Sequence, residues 1–396
     1  MLIPLRLLGI FLLSLVLGFQ AAPASAQGLG SLLAGGNTQS DPQSDLADAV
    51  RSAAESGANV IVIDTAGNVV TQTGTAESAP VADPGSGTTL MAIQDDAVAF
   101  RTALIDRLLN LPVAFNEVVY ILRATSPDGT IFAYVKALLI SLGLFAVGMV
   151  FESQVFGKRM VKSFVVARIQ AAPEGYAEKM PFLVFRFFMG IVGTLVSMAV
   201  AYILGGIIFG PLEDAAMQFT VTLINIGYFL VRVVAGLWRM ILSPYLTQYR
   251  IPLFNDRDAR RLHLWLSAVA AFGFFAILFG VWIEELGLNN EVYVFLFSLL
   301  SLVVMTLNIL LVVVNGAAIT GAILAGKRPA EATWVLRTLA RVWAPLAVLY
   351  FLFAWGDQTY HLVIGDALGV PLLSAAWAIL TTILVVYGVI NYFIER

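Results

Sequence analysis

Seven long apolar segments follow one another between about Ile131 and Ile394, and the loops that join them alternate in charge. The loop 152–180 holds Lys158, Arg159, Lys162, Arg168 and Lys179. Loop 243–263 holds Arg250, Arg257, Arg260 and Arg261, and loop 326–341 holds Lys327, Arg328, Arg337 and Arg341. The intervening loops 211–216, 284–291 and 356–371 contain no Lys or Arg; they carry Glu213, Asp214, Glu284, Glu285, Glu291, Asp357 and Asp366. Apolar runs of this length satisfy their backbone polar groups in a bilayer as helices. Lys and Arg collect in loops that are not translocated, so the alternation also implies an orientation, with the basic loops cytoplasmic. The expected fold is an all-α polytopic membrane protein, with spans at about 131–151, 181–210, 217–242, 264–284, 292–325, 334–355 and 372–394.

Composition agrees with a membrane chain. Hydrophobic residues make up 59% and charged residues 12%, where a soluble domain carries about a quarter charged residues. The net charge of −3 says little about partners, because its sign is sorted loop by loop. No basic face is left over for a nucleic acid. With no cysteine, disulfides, thiolate metal sites and cysteine nucleophiles are excluded. The two histidines, His263 and His361, fall on opposite expected sides and cannot share a metal.

The N-terminus reads as a secretory signal over 1–26. Arg6 provides the positive region, LLGIFLLSLVLGF the apolar core, and Ala24-Ser25-Ala26 a cleavage site before Gln27. The alternative is an uncleaved anchor. Cleavage puts the mature N-terminus in a bacterial periplasm, the spans in the inner (plasma) membrane, and Arg396 in the cytoplasm. Residues 27–90 are Gly-, Ser-, Ala- and Asp-rich and read as a flexible segment, apart from NVIVIDTAGNVVTQT (59–73), two β-rich runs around a turn-prone Ala66-Gly67-Asn68. Residues 91–129 form an amphipathic helical region. Ala97, Leu104, Leu108, Leu111, Phe115, Val118 and Leu122 make its apolar stripe, and Pro112 is expected to kink or divide it. Such a helix either packs as a hairpin on itself, lies on the outer leaflet or grips a neighbouring subunit. The bundle occupies 130–396. Its fifth span, at 34 residues, is ~51 Å long against a ~30 Å hydrocarbon core, so it must tilt, protrude or break, with Asn315-Gly316 the expected place for a break.

Few motifs carry chemistry. Gly321 to Lys327 matches the first part of a phosphate-binding loop, but Arg328 and Pro329 stand where Ser or Thr would hold magnesium, so no nucleotide is expected. No G-x-S-x-G or H-E-x-x-H occurs, and His361 near Asp357 and Asp366 is supported as a catalytic group by sequence proximity alone. The chain is read as a non-enzyme without cofactors. Gly193, Ser197, Ala201 and Gly205, and again Ala317, Gly321 and Ala325, recur every four residues, a pattern that lets membrane helices approach closely. Arg232 lies inside VTLINIGYFLVRVVAGLW, where Arg costs about 2.5–3.5 kcal/mol at a helix centre. Asn225, Asn308, Asn315, a carbonyl, a lipid phosphate or water could offset it, or the side chain could snorkel to the headgroups.

The segment WRMILSPYLTQYRIPLFNDRDARRLHLWL (238–266) resembles a cytoplasmic helix connection in large members of the MscS-type mechanosensitive channel family. The arrangement of 91–396 behind a signal peptide is similar too. The resemblance implies the N-terminal sensor portion of such a channel, without the Gly/Ala-patterned pore helix and β-rich vestibule that define the family. The stretch 316–326 is similar to a pore helix only in composition, so no pore residue is assigned. On this reading the chain senses membrane tension for osmotic protection. Lipid would fill crevices lined by Arg232, Arg239, Arg257, Arg260 and Arg261, in a homo-oligomer. The alternatives are a secondary transporter or flippase-like carrier centred on Arg232, Asn225 and Asn308, and a non-conducting scaffold subunit.

Overall fold

A computed structural model describes residues 60–63, 69–73, 89–161, 169, 173–324, 331–366 and 371–396. The signal segment and the turn Ala66-Gly67-Asn68 lie outside these residues. The chain divides into two compact units between Val98 and Ala99. In the smaller, β1 (Val60–Ile63) pairs antiparallel with β2 (Val69–Thr73), Val60 opposite Thr73, with a bulge between Val62 and Ile63. Helix α1 (Thr89–Ala124) begins in this unit and runs without interruption through Pro112. The expected division at Pro112 does not occur.

The described part of the larger unit is helical, with short connections. It comprises the rest of α1, then α2 (Phe132–Phe151), α3 (Gly175–Phe209), α4 (Ala215–Leu242), α5 (Asp256–Glu285), α6 (Asn290–Ile323), α7 (Trp334–Ile364) and α8 (Leu372–Glu395). Among the described residues, α2 to α8 are seven segments long and apolar enough to cross a membrane, and the protein is a multi-pass membrane protein. Their ends alternate between a basic face, where the Lys/Arg loops lie, and an acidic face.

Helix ends fall where local chemistry stops or starts them. Asp214, Asn255 and Asn289 cap α4, α5 and α6, each side chain accepting a backbone N–H of the first turn. Gly210 and Gly365 end α3 and α7 with positive φ, a conformation glycine adopts without steric cost. These caps lie further out than hydropathy suggests. The turn Asp256-Arg257-Asp258 belongs to α5, and Asp357 and His361, assigned to a loop by charge alone, lie in the last turns of α7. The expected break at Asn315-Gly316 is also absent, because α6 runs through it. Asn315 donates its amide back to the Leu311 carbonyl at 3.0 Å and accepts from Arg261 Nε at 3.2 Å, so its polar group is satisfied without opening the helix.

Each helix from α3 to α8 packs on its successor, α8 returns onto α3, and α2 lies against α3 and α4. Separate clusters hold this array. Leu183, Phe187, Leu237 and Tyr392 join α3, α4 and α8; Trp238, Leu262 and Leu311 join α4, α5 and α6; Met305, Phe351 and Leu373 join α6, α7 and α8. Trp377 of α8 donates to Asn308 of α6 at 2.8 Å and meets Trp238 of α4 edge-on. Helix α1 does not fold on itself. Ala114, Val118 and Leu122 pack against α2, α4, α5 and α6 at their acidic-face ends, and Phe100 and Leu104 pack against α6 and α7. Arg107 fixes it there, donating to the Val363 carbonyl at 2.6 Å and pairing with Glu291 at 3.0 Å.

Candidate functional site

The deepest charged group predicted from sequence, Arg232, is met by Glu152. A single guanidinium nitrogen of Arg232 reaches both carboxylate oxygens at 2.6 Å, and its Nε lies 3.4 Å from Thr194 Oγ1. Three helices supply these groups. At ~1.5 Å per residue, Glu152 lies ~30 Å along α2 from the acidic face, Arg232 ~26 Å along α4 and Thr194 ~23 Å along α3, a common level. This level is towards the basic side of a ~30 Å hydrocarbon core. The pair is shielded: the side chains keep 28% and 17% of their exposure, Arg232 and Glu152 respectively.

Small residues make the room. A Cβ on Gly193 would come within 2.9 Å of Glu152 Oε1, and one on Gly148 would collide with the Ser197 backbone oxygen. Gly205 faces Leu144 in the same contact, and Ala201 is buried. Ser197 Oγ hydrogen-bonds the Tyr228 hydroxyl at 2.9 Å, and the Tyr228 ring stacks on Phe145 at 4.2 Å. Glu152, Thr194, Ser197, Tyr228 and Arg232 thus form one polar cluster where α2, α3 and α4 meet.

Glu152 also marks a change in the backbone. At this residue α2 passes into a π-helical segment, Glu152–Val161, 10 residues long. Such helices are rare, mostly single turns, and concentrate at functional sites. The ion pair therefore holds α2 to α4 at the junction between two helical geometries.

The other sequence candidates lie elsewhere. Ala317 and Gly321 are exposed, with open space around Gly321; the buried face of α6 is instead Asn308, Leu311, Val312, Asn315 and Ala318. Ala325 lies outside the described residues. Asn225 and Asn308 donate to carbonyls of their own helices, Val221 and Val304, rather than meeting Arg232. Arg239 and Arg257 are exposed. Arg260 reaches the Pro244 carbonyl at 3.5 Å, and Arg261 pairs with Asp258 at 3.0 Å. Arg250 is the buried member of this loop, donating to the Leu242 and Phe254 carbonyls and pairing with Asp256. Arg250 and Arg260 brace the α4–α5 connection and Arg261 reaches Asn315 of α6; among the described residues none of the three hydrogen-bonds the Arg232 cluster.

The sequence marks Glu152 only as one of the helix-end acids, with Glu284, and does not pair it with Arg232, because acids at the end of an apolar run are ordinarily solvated. The available signal was the Gly193/Ser197 stripe at the depth of Arg232: a helix face of small residues leaves space for a neighbour's side chain. The fold and this cluster define a multi-pass helical membrane protein with an ionic contact inside its apolar zone. Comparisons with protein-family models, curated proteins and solved structures find no match for the chain.

Proposed function

We propose that this chain is the tension-sensing membrane region of a mechanosensitive ion channel, working in the inner membrane with its basic face cytoplasmic and its mature N-terminus periplasmic. The observation that carries the reading is the Glu152–Arg232 contact at the start of the π-helical segment, set in a lightly packed array. Between 11% and 33% of the residues in each span's most apolar window are fully buried within the chain, so the others keep surface for lipid or neighbouring copies. The spans, with α2 extended through its π-helical continuation to Arg159, run 24 to 35 residues and are ~36–52 Å long; in a ~30 Å core they tilt or protrude. Tension favours whichever arrangement occupies more membrane area, and a sensor needs two arrangements of different area. A contact between α2 and α4 that can break at a change of helical geometry provides a discrete step between them. The resemblance of 238–266 to the MscS-type family supports the same reading, and a homo-oligomer would place the exposed apolar faces against each other.

The test is electrical. Membrane patches containing the full gene product should pass current under graded suction, and Glu152→Gln should lower the tension for half-opening. Absence of pressure-dependent current at every tension up to rupture would overturn the proposal.

The second reading, a secondary transporter or flippase-like carrier, is favoured by the same ion pair, since charged groups within membranes often line substrate paths. Vesicle flux that proceeds without tension and is lost in Arg232→Gln would select it.

A further inference from the structure

A second group of cations shows the opposite chemistry to Arg232. Arg107, Arg232, Arg250 and Arg261 each meet a carboxylate. Arg186 of α3 does not. Its Nη1 is buried and has no hydrogen-bond partner, and it forms no ion pair among the described residues. The charge that acts on it from the next helix is another cation, Arg239 of α4, with the Tyr245 hydroxyl the other group that acts on it.

Helix register puts the two side by side. Phe187 lies 3.6 Å from the position a Cβ on Gly236 would take, so Arg186 and Arg239 fall on adjoining turns of antiparallel helices. On the other flank of α4, the His263 ring nitrogen lies 3.3 Å from the Ala235 carbonyl, placing α5 beside Arg239 too. Measured along their helices from the acidic face, Arg186 lies at ~35 Å, Arg239 at ~36 Å and His263 at ~33 Å. All three lie in the basic-side turns of helices longer than a ~30 Å hydrocarbon core, where such helices approach the headgroups.

Two like charges on adjoining helix turns, one with a buried unsatisfied donor, disfavour each other unless an anion sits between them. A guanidinium fork matches phosphate oxygens in two-point geometry, and Arg is less strongly hydrated than Lys, which suits a half-buried site. We propose that Arg186 and Arg239, with His263 at the edge, form a binding site for the headgroup phosphate of a phospholipid in the leaflet on the basic side. The site is ~10 Å beyond the Glu152–Arg232 pair along α4. It requires only that the chain spans a membrane, so it stands or falls separately from the tension reading.

Native mass spectrometry of the purified full chain tests it. After exchange into phosphatidylglycerol, the wild type should retain one lipid per chain at detergent levels that strip Arg186→Gln and Arg239→Gln at least tenfold more readily. Arg257→Gln, exposed on the same face but outside the cluster, should retain lipid like the wild type. Arg239 is exposed, so Arg239→Gln keeps the fold even if Arg186→Gln does not, and a monodisperse elution profile checks both. A diglucosyl diacylglycerol, with acyl chains but no phosphate, should leave no retained lipid. Equal retention in the wild type and Arg239→Gln overturns the proposal, as does retention of the glycolipid. If millimolar inorganic phosphate displaces the phospholipid completely, the ligand is free phosphate and the lipid assignment fails.

Discussion

At the residue scale, the Glu152–Arg232 pair is unusual in being both shielded and small in its donor set, with one nitrogen serving two oxygens. Desolvating two charges costs more than the pair returns unless the geometry is tight, so such a contact is weak evidence for stability. Removing one partner, by contrast, strands the other, at about 3–5 kcal/mol for a fully buried pair. With 28% and 17% of the side-chain surfaces still exposed, the low end of that range applies. Arg232→Met is therefore expected to lower the thermal midpoint in detergent sharply, and adding Glu152→Gln should recover part of the loss. A double variant no more stable than Arg232→Met alone would show that the two residues are not coupled. Arg232 could be read from sequence as needing an offset. Its partner could not, because 80 residues separate them and pairing depends on which helix faces meet.

At the element scale, small residues have two meanings that sequence spacing cannot separate. The stripe on α3 meets α2: Gly148 opposes Ser197, and Gly193 opposes Glu152. The stripe on α6 presents Gly321 to open space. The same substitution should therefore act with opposite sign. Gly148→Ala places a methyl group against the backbone of α3, which cannot yield unless the helices part, and overpacking of this kind costs about 1–3 kcal/mol. Gly321→Ala meets nothing and gains helix propensity worth up to about 1 kcal/mol. Thermal unfolding of the two variants checks the contrast, and equal destabilisation would remove the distinction between the stripes. Helix α1 makes a related point. Only part of its expected stripe is the packed one: Leu104, Leu111, Val118 and Leu122 face the bundle, whereas Ala97, Leu108 and Phe115 are exposed, and the partners, the acidic-face ends of α2, α4, α5, α6 and α7, were not legible. Periodicity identifies a face without naming what covers it.

At the scale of the whole molecule, the alternating loops make a prediction that the absence of native cysteine renders simple to test. In intact cells, a membrane-impermeant maleimide should label Glu213→Cys after the outer barrier is opened. Arg257→Cys should label only after the inner membrane is lysed. The reverse pattern would invert the proposed orientation. The sequence by itself determined the all-α class, the seven spans and their order, because hydropathy and loop charge are local quantities that a bilayer reads one segment at a time. It placed helix ends less well, since capping by Asn255 or Gly365 extends a helix beyond its apolar stretch. The tertiary structure alone decided that α8 closes back onto α3, that Glu152 meets Arg232, and that a buried nitrogen of Arg186 is left without a hydrogen-bond partner among the described residues. Those outcomes depend on the rotation and register of packed helices. In lipid no hydrophobic gradient fixes these from the sequence; close packing and the pairing of buried polar groups do.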